Sequence, residues 1–210
     1  MQLKYAAEIS EEQSGFVKGK GTREQITNIR IIMEKCKEYN IPLYMCFIDY
    51  SKAFDCVNHQ ILWQDMHNMG FPQHIITLLE HLYTNQEAAV KTNSGLSKWF
   101  SIGRGVRQGC IISPMLFNIY SEAIMREATE DCNAGTNIGG RTISNLRYAD
   151  DTTLLCKNKE DLMNLLGKIQ DLSKDKGLLL TNSRYTFQRL RYRRTLTLPI
   201  AVFMTTGIQN

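Results

Sequence analysis

The chain has 210 residues, 43% apolar and 22% charged, with four prolines, 14 glycines, six cysteines and a net charge of +4. This is the composition of a folded soluble protein, long enough to bury a hydrophobic core without disulfide or metal staples. The cysteines are scattered without a C-x-x-C pair, which argues against a zinc finger or a secreted disulfide framework, and no stretch reaches the roughly 18 apolar residues of a membrane span. The expectation is a soluble intracellular protein.

The charge is unevenly placed. Residues 1–176 hold 20 basic against 21 acidic side chains, and the excess lies in the tail, where Arg184, Arg189, Arg191, Arg193 and Arg194 face no acid. Such a block serves either as a nucleic-acid arm or as a solvated, passive tail.

In chain order, Thr22 and Gln25 have capping-box spacing, and Ile26, Ile29, Met33 and Cys36 recur at helical spacing, which predicts a helix over 22–39. Asn40 to Pro42 break it, and the mostly apolar residues 43–48 predict a buried strand ending at Asp49. Helices are predicted over 59–69 and 73–83, separated by Gly70-Phe71-Pro72. Residues 88–92 and 98–102, either side of Asn93-Ser94-Gly95, predict a β-hairpin, and the glycines at 103, 105 and 109 mark an irregular loop. Ser113 as N-cap and Pro114 as first residue open a helix to about residue 129. After Gly139-Gly140, strands over 142–147 and 152–156 flank a turn at Tyr148-Ala149-Asp150-Asp151. A helix over 159–175, capped by Gly177, and a short strand at 178–180 complete an α+β pattern.

Asp49 and the pair Asp150 and Asp151 stand at strand ends. Adjacent carboxylates repel, and they are explained either by ordinary turn chemistry or by a cation between them. A hard cation such as Mg²⁺ takes a few carboxylate oxygens and keeps room for water and phosphate. Were the two strands neighbours, the three acids would converge on one point suited to nucleotidyl transfer.

Three segments, Phe47-Ile48-Asp49-Tyr50-Ser51-Lys52-Ala53-Phe54-Asp55, Arg107-Gln108-Gly109-Cys110-Ile111-Ile112-Ser113-Pro114-Met115-Leu116-Phe117-Asn118 and Tyr148-Ala149-Asp150-Asp151, closely resemble the reverse transcriptases of non-LTR (LINE-type) retrotransposons in order and spacing. Gln13-Ser14-Gly15-Phe16, Gly103-Arg104-Gly105-Val106 and Ile138-Gly139-Gly140-Arg141 extend the likeness over about residues 11–182, followed by a non-matching basic tail at 183–210. The resemblance implies a polymerase palm, an antiparallel sheet packed on helices, with partial fingers and no thumb: a truncated domain of a mobile element's RNA-directed DNA polymerase. Its partners would be an RNA template, a DNA primer and deoxynucleoside triphosphates, and its cofactor two Mg²⁺ ions, with Mn²⁺ a substitute.

Carried over by that resemblance, Asp49, Asp150 and Asp151 are the catalytic, metal-holding acids. Phe54 lies under the sugar, where its ring would collide with a ribose 2′-hydroxyl; its other reading is core packing. Gln108 and Gly109 contact the incoming nucleotide and template, Tyr50 is a further substrate-binding residue, and Tyr148 lies near the primer end. Lys18, Lys20 and Arg23 are candidate phosphate contacts. The chain departs from the pattern at Val17, where the family carries arginine, and at residues 181–186, where no lysine matches the proposed acid for the leaving pyrophosphate. Arg184 is a poor proton donor in its place. The rival reading is an inactive relic serving as an RNA-binding or interaction scaffold. Nucleus and cytoplasm are both compatible with the sequence.

Overall fold

The computed structural model describes residues 2–130, 132, 134–181 and 186–189. Helix α1 (Gln2–Glu8) is followed by an extended segment and α2 (Thr22–Glu38). Strands β1 (Tyr44–Ile48) and β2 (Tyr50–Ser51), a 3-10 turn (Ala53–Cys56), α3 (His59–Asn68) and α4 (Gln73–Tyr83) come next. Four two-residue strands, β3 (Glu87–Ala88), β4 (Lys91–Thr92), β5 (Gly95–Leu96) and β6 (Phe100–Ser101), form one interrupted hairpin, with β3 paired to β6 and β4 to β5. Helix α5 (Ser113–Thr129), β7 (Thr136–Ile138), β8 (Arg141–Ile143), β9 (Asn145–Tyr148), β10 (Asp151–Cys156), α6 (Lys159–Asp175), β11 (Leu179–Leu180) and β12 (Thr186–Arg189) complete the order.

The central sheet runs β12-β1-β10-β9, antiparallel throughout. Side chains alternate across a strand, and both faces of this sheet are covered. Met45 and Leu155 join Ile29, Ile32, Met33 and Cys36 of α2 in one cluster. Cys46, Ile48, Leu154 and Cys156 join Leu116, Ile119, Ile124, Leu162 and Ile169 of α5 and α6 in the other. Two-sided burial is why residues 43–48 read as a nearly continuous apolar run. Each fully buried aliphatic side chain here contributes about 1.5–3 kcal/mol through its removal from water.

Helix α6 has the predicted bounds, opened by Asn158 Oδ1 accepting the Asp161 N–H at 2.7 Å. It closes with Gly177 at φ +81, the Gly177 N–H bonding to Lys174 O at 2.9 Å and the Leu178 N–H to Ser173 O at 2.7 Å, the paired bonds of a Schellman motif. Two expected caps are placed differently. Gly21 is the N-cap of α2 and makes no side-chain cap bond, while Gln25 Nε2 donates to Glu12 O at 2.7 Å and Arg147 O at 2.9 Å. Ser113 lies inside α5, and its hydroxyl donates to Arg107 O at 2.6 Å, because the loop before the helix folds back over it.

The expected strand over 142–147 divides at Ser144. Gly139 and Gly140, at φ +61 and +82, form the turn of a separate β7–β8 hairpin, which draws residues 141–143 away from β10. The central sheet runs beyond residue 182, since β12 pairs with β1 with Tyr44 opposite Arg189. Of the basic tail, Arg184, Arg191, Arg193 and Arg194 lie outside the described residues, as do residues 182–185 of the segment departing from the family pattern. No described helix is long and apolar enough to cross a membrane.

Candidate active site

Strands β1 and β10 are hydrogen-bonded neighbours, with Phe47 opposite Thr153 and Ile48 opposite Thr152. Continuing that register by one residue sets Asp49 across from Asp151, and alternation puts both on the face that carries Phe47 and Leu155. β9 and β10 close with Tyr148 opposite Asp151, leaving Ala149 and Asp150 as a two-residue loop. The adjacency that the acids required therefore comes from the pairing of strands about a hundred residues apart.

Asp49 and Asp150 are half-buried and Asp151 is exposed. Burial pushes the Asp150 carboxyl above the ordinary carboxylate range; its own backbone N–H pulls it down, and the negative charge of Asp49 pushes it up again. A hard cation would relieve both the desolvation and the repulsion, and the oxygen-only donors match that chemistry. Among the described residues, however, no group of three or more His, Cys, Asp or Glu side chains is gathered into a metal-holding cluster. Asp49 and Asp150 stand in electrostatic contact, and Asp151 is exposed at the start of β10. Mg²⁺ commonly completes its shell with water and substrate oxygens rather than protein cages.

The loop bearing Asp150 is gripped from behind by the segment before α2. Ala149 sits at φ +56, a region unfavourable to residues with a Cβ. Its N–H donates to Gln13 Oε1 at 2.9 Å, and its carbonyl accepts from Gln13 Nε2 at 3.2 Å. The Ser14 N–H donates to Arg147 O at 2.9 Å and the Arg147 N–H to Glu12 O at 2.8 Å. Asn118 of α5, fully buried, donates to Gly15 O at 2.8 Å and to the Tyr5 hydroxyl at 2.7 Å. Arg147 extends under the sheet to Glu122 Oε2 at 2.8 Å and Ser10 Oγ at 2.6 Å. Of these residues, Gln13, Ser14, Gly15, Asn118 and Ala149 fall in motifs that the sequence singles out. Arg147 and Glu122 carry no local signal, because the groups they bond are not their neighbours in the chain.

Next to this clamp stands an aromatic stack. The Phe54 ring lies on Phe117, centroids 4.5 Å apart and planes 22° apart, and Phe16 meets Phe54 edge-on at 6.2 Å. Phe54 is half-buried, so core packing accounts for one ring face. Its carbonyl accepts the Val106 N–H at 2.8 Å, and Gly105, at φ +90, approaches Asp55 so closely that a Cβ would lie 2.9 Å from the Asp55 carbonyl oxygen. The glycine loop is thereby docked on the Phe54 turn. Beyond it Gln108 and Gly109 are exposed, and Gly109, at φ +78, has open space where a Cβ would stand.

Tyr148 is half-buried at the end of β9. Tyr50, expected beside a substrate, has its ring in the main core, with its hydroxyl 3.3 Å from Ser173 Oγ of α6. The side chain after Asp49 alternates to the opposite sheet face, the one packed on α5 and α6. Of the candidate phosphate contacts, Lys18 and Arg23 are exposed, whereas Lys20 Nζ donates to Glu11 O at 2.8 Å and Gln13 O at 3.2 Å and so braces the clamp.

The result is an α+β core with acids at two paired strand ends, backed by a buried clamp. The sequence model of the family described as Reverse transcriptase (RNA-dependent DNA polymerase) matches residues 1–193, and the chain belongs to this family. Among curated relatives, it is 28% identical over 170 residues to the retrovirus-related Pol polyprotein from type-1 retrotransposable element R2 of Nasonia vitripennis, covering 81% of this chain and 16% of the relative. It is 26% identical to the corresponding polyprotein from type-2 element R2DM of Drosophila melanogaster, with 80% and 16% covered. A third relative, the transposon TX1 uncharacterized 149 kDa protein of Xenopus laevis, is 29% identical, with 73% and 12% covered. The chain thus spans about a sixth or less of the length of these relatives. Among solved structures, apo telomerase from Candida tropicalis, truncated from the C-terminal domain, superposes with a TM-score of 0.71 at 17% identity, covering 92% of this chain and 40% of that one. This is a likeness of fold.

Proposed function

We propose that the chain is the palm and part of the fingers of an RNA-directed DNA polymerase, which extends a DNA primer on an RNA template with deoxynucleoside triphosphates. The observation that carries this reading is the β1–β10 pairing, which brings Asp49 to the loop of Asp150 and Asp151. In the proposal, Asp49, Asp150 and Asp151 hold two divalent cations, Mg²⁺ or in its place Mn²⁺. When bound, these cations activate the primer 3′-hydroxyl and neutralise charge on the phosphates.

The remaining roles belong to the chain's own residues. Phe54, backed by Phe117, presents a rigid ring that excludes a 2′-hydroxyl. Gly109 leaves space for close backbone approach beside Gln108, and Tyr148 flanks the primer end. Tyr50 contributes through its backbone at the start of β2, since its ring is occupied in the core.

The test is primer extension by the purified chain on an RNA template with deoxynucleotides and Mg²⁺, beside a variant carrying Asp150→Ala and Asp151→Ala. Extension by the wild type alone supports the proposal, and the paired variant excludes a contaminating polymerase. A folded wild type that extends nothing sinks the polymerase reading for this chain and leaves RNA binding without catalysis as the alternative.

A further inference from the structure

Segments that connect helices and strands normally run over the surface, because buried backbone needs hydrogen-bond partners. The segment at residues 10–15 is an exception: Gln13 is 1% exposed and Ser14 2%. It pairs with the sheet only through one isolated bridge, Gln13 with Arg147. Burial of a glutamine here is explained by where its amide ends. Oε1 accepts two N–H groups, from Gly15 at 2.7 Å and Ala149 at 2.9 Å, which fixes that atom as oxygen and leaves Nε2 to donate to Ala149 O at 3.2 Å. One side chain thereby satisfies both backbone groups of Ala149, the residue at φ +56 next to Asp150.

A two-residue loop closing β9 onto β10 directs the amide and carbonyl of its first residue away from the ladder, so the hairpin cannot satisfy them itself. Without a donor and an acceptor held rigidly behind it, the Ala149 peptide would be free to turn, and with it the direction of the next side chain. Rigidity is available: Asn118 holds Gly15 O, Lys20 holds Gln13 O, and Gln25 holds the carbonyls of Glu12 and Arg147.

We infer that Gln13 is a positioning residue for the acid-bearing loop: its amide fixes the Ala149 peptide and so sets where the carboxylates of Asp150 and Asp151 stand relative to Asp49. The inference rests on the proposed assignment of those acids as the metal-holding group. Gln13 touches no substrate in this account and acts through the loop. An amide is required, because the site needs a donor and an acceptor on one rigid fork; an apolar or carboxylate side chain of the same length supplies at most half.

The experiment measures Mn²⁺ binding to the full chain by loss of the free-ion electron paramagnetic resonance signal, with thermal unfolding and primer extension on the same preparations. The proteins are wild type, Asp150→Asn, Gln13→Ala and Gln13→Met, the last keeping side-chain volume while removing all three hydrogen bonds. Asp150→Asn should weaken Mn²⁺ binding about tenfold or more. Wild type that binds no Mn²⁺, or an Asp150→Asn variant that binds it equally, overturns the acid-site assignment and the inference with it. With that assignment standing, Gln13→Met should fold, weaken Mn²⁺ binding about fivefold to tenfold, and raise the metal concentration for half-maximal extension in parallel, with primer–template affinity unchanged. A folded Gln13→Met that binds Mn²⁺ as the wild type does overturns the inference. So does failure of both Gln13 variants to fold, which would make Gln13 a stability residue only.

Discussion

Gly15 passes so close to the acid-bearing loop that a Cβ added to it would stand 2.1 Å from the backbone nitrogen of Ala149, 134 positions along the chain. It would also lie 2.8 Å from the Ala149 Cα and 2.9 Å from the Tyr148 carbonyl carbon, so the obstacle is backbone on every side. Gly15→Ala should therefore cost about 3 kcal/mol, the upper end of what overpacking usually costs. Urea denaturation checks this, with Gly103→Ala as comparison, since nothing lies within 4 Å of a Cβ there. Equal midpoints for the two variants would refute the close approach.

Beneath the same loop, Arg147 and Glu122 form an ion pair at 2.8 Å with both side chains 2% exposed. Removing one partner of such a pair leaves a charge buried without compensation, so Glu122→Ala should destabilise the fold by about 3–5 kcal/mol. Glu122→Leu combined with Arg147→Met removes both charges and should recover at least half of that loss. Two orphaned nitrogens of Arg147, Nε and Nη1, lack hydrogen-bond partners and argue for this recovery. Denaturant titration of the single and double variants decides it, and a single variant as stable as the double would be the wrong outcome.

Asp65 and Lys176 form a second, partly buried pair, Nζ to Oδ1 at 2.6 Å, with Asp65 Oδ2 lacking a hydrogen-bond partner. Burial outweighs the lysine and pushes the Asp65 carboxyl above its ordinary value. A carboxyl raised on folding favours the native state most where it is protonated, and that contribution is lost as pH rises through its folded pKa. The stability of wild type relative to Asp65→Asn should thus decline from the acid range toward neutrality and level off above it. Urea unfolding across that range tests the sign; a difference that grows with pH would mean Lys176 dominates.

All six cysteines are free thiols, three buried and three half-buried. Burial pushes Cys46 up to about 11 and Cys156 up to about 12, and it also raises buried Cys36. Thiolate is the reactive form, so these three should resist iodoacetamide in the native protein. Half-buried Cys56, Cys110 and Cys132 should be labelled first, as peptide mass spectrometry would show. Early labelling of Cys46 would contradict the two-sided packing of β1.

The sequence alone determined the elements whose signals are local. Apolar spacing and Gly177 bounded α6, and the apolar run ending at Asp49 marked β1, because helix periodicity, capping glycines and two-sided burial leave their mark within a few residues. The family was legible in the same way, from motif residues at fixed spacing. Tertiary structure alone decided which partner each polar group takes. Gln25 and Ser113 look like caps by spacing, yet Gln25 bonds to the carbonyls of Glu12 and Arg147 and Ser113 to that of Arg107 in the loop folded back over it. Residues 141–143 left the predicted long strand because a two-glycine turn pairs them with β7. Gln13, Asn118, Glu122 and Arg147 became a clamp only when α5, β9 and the segment before α2 met, and the meeting of Asp49 with Asp150 likewise waited on the pairing of β1 with β10. Hydrogen bonds between groups more than a hundred residues apart have no periodicity for a sequence to display, and their geometry exists only once the core has closed.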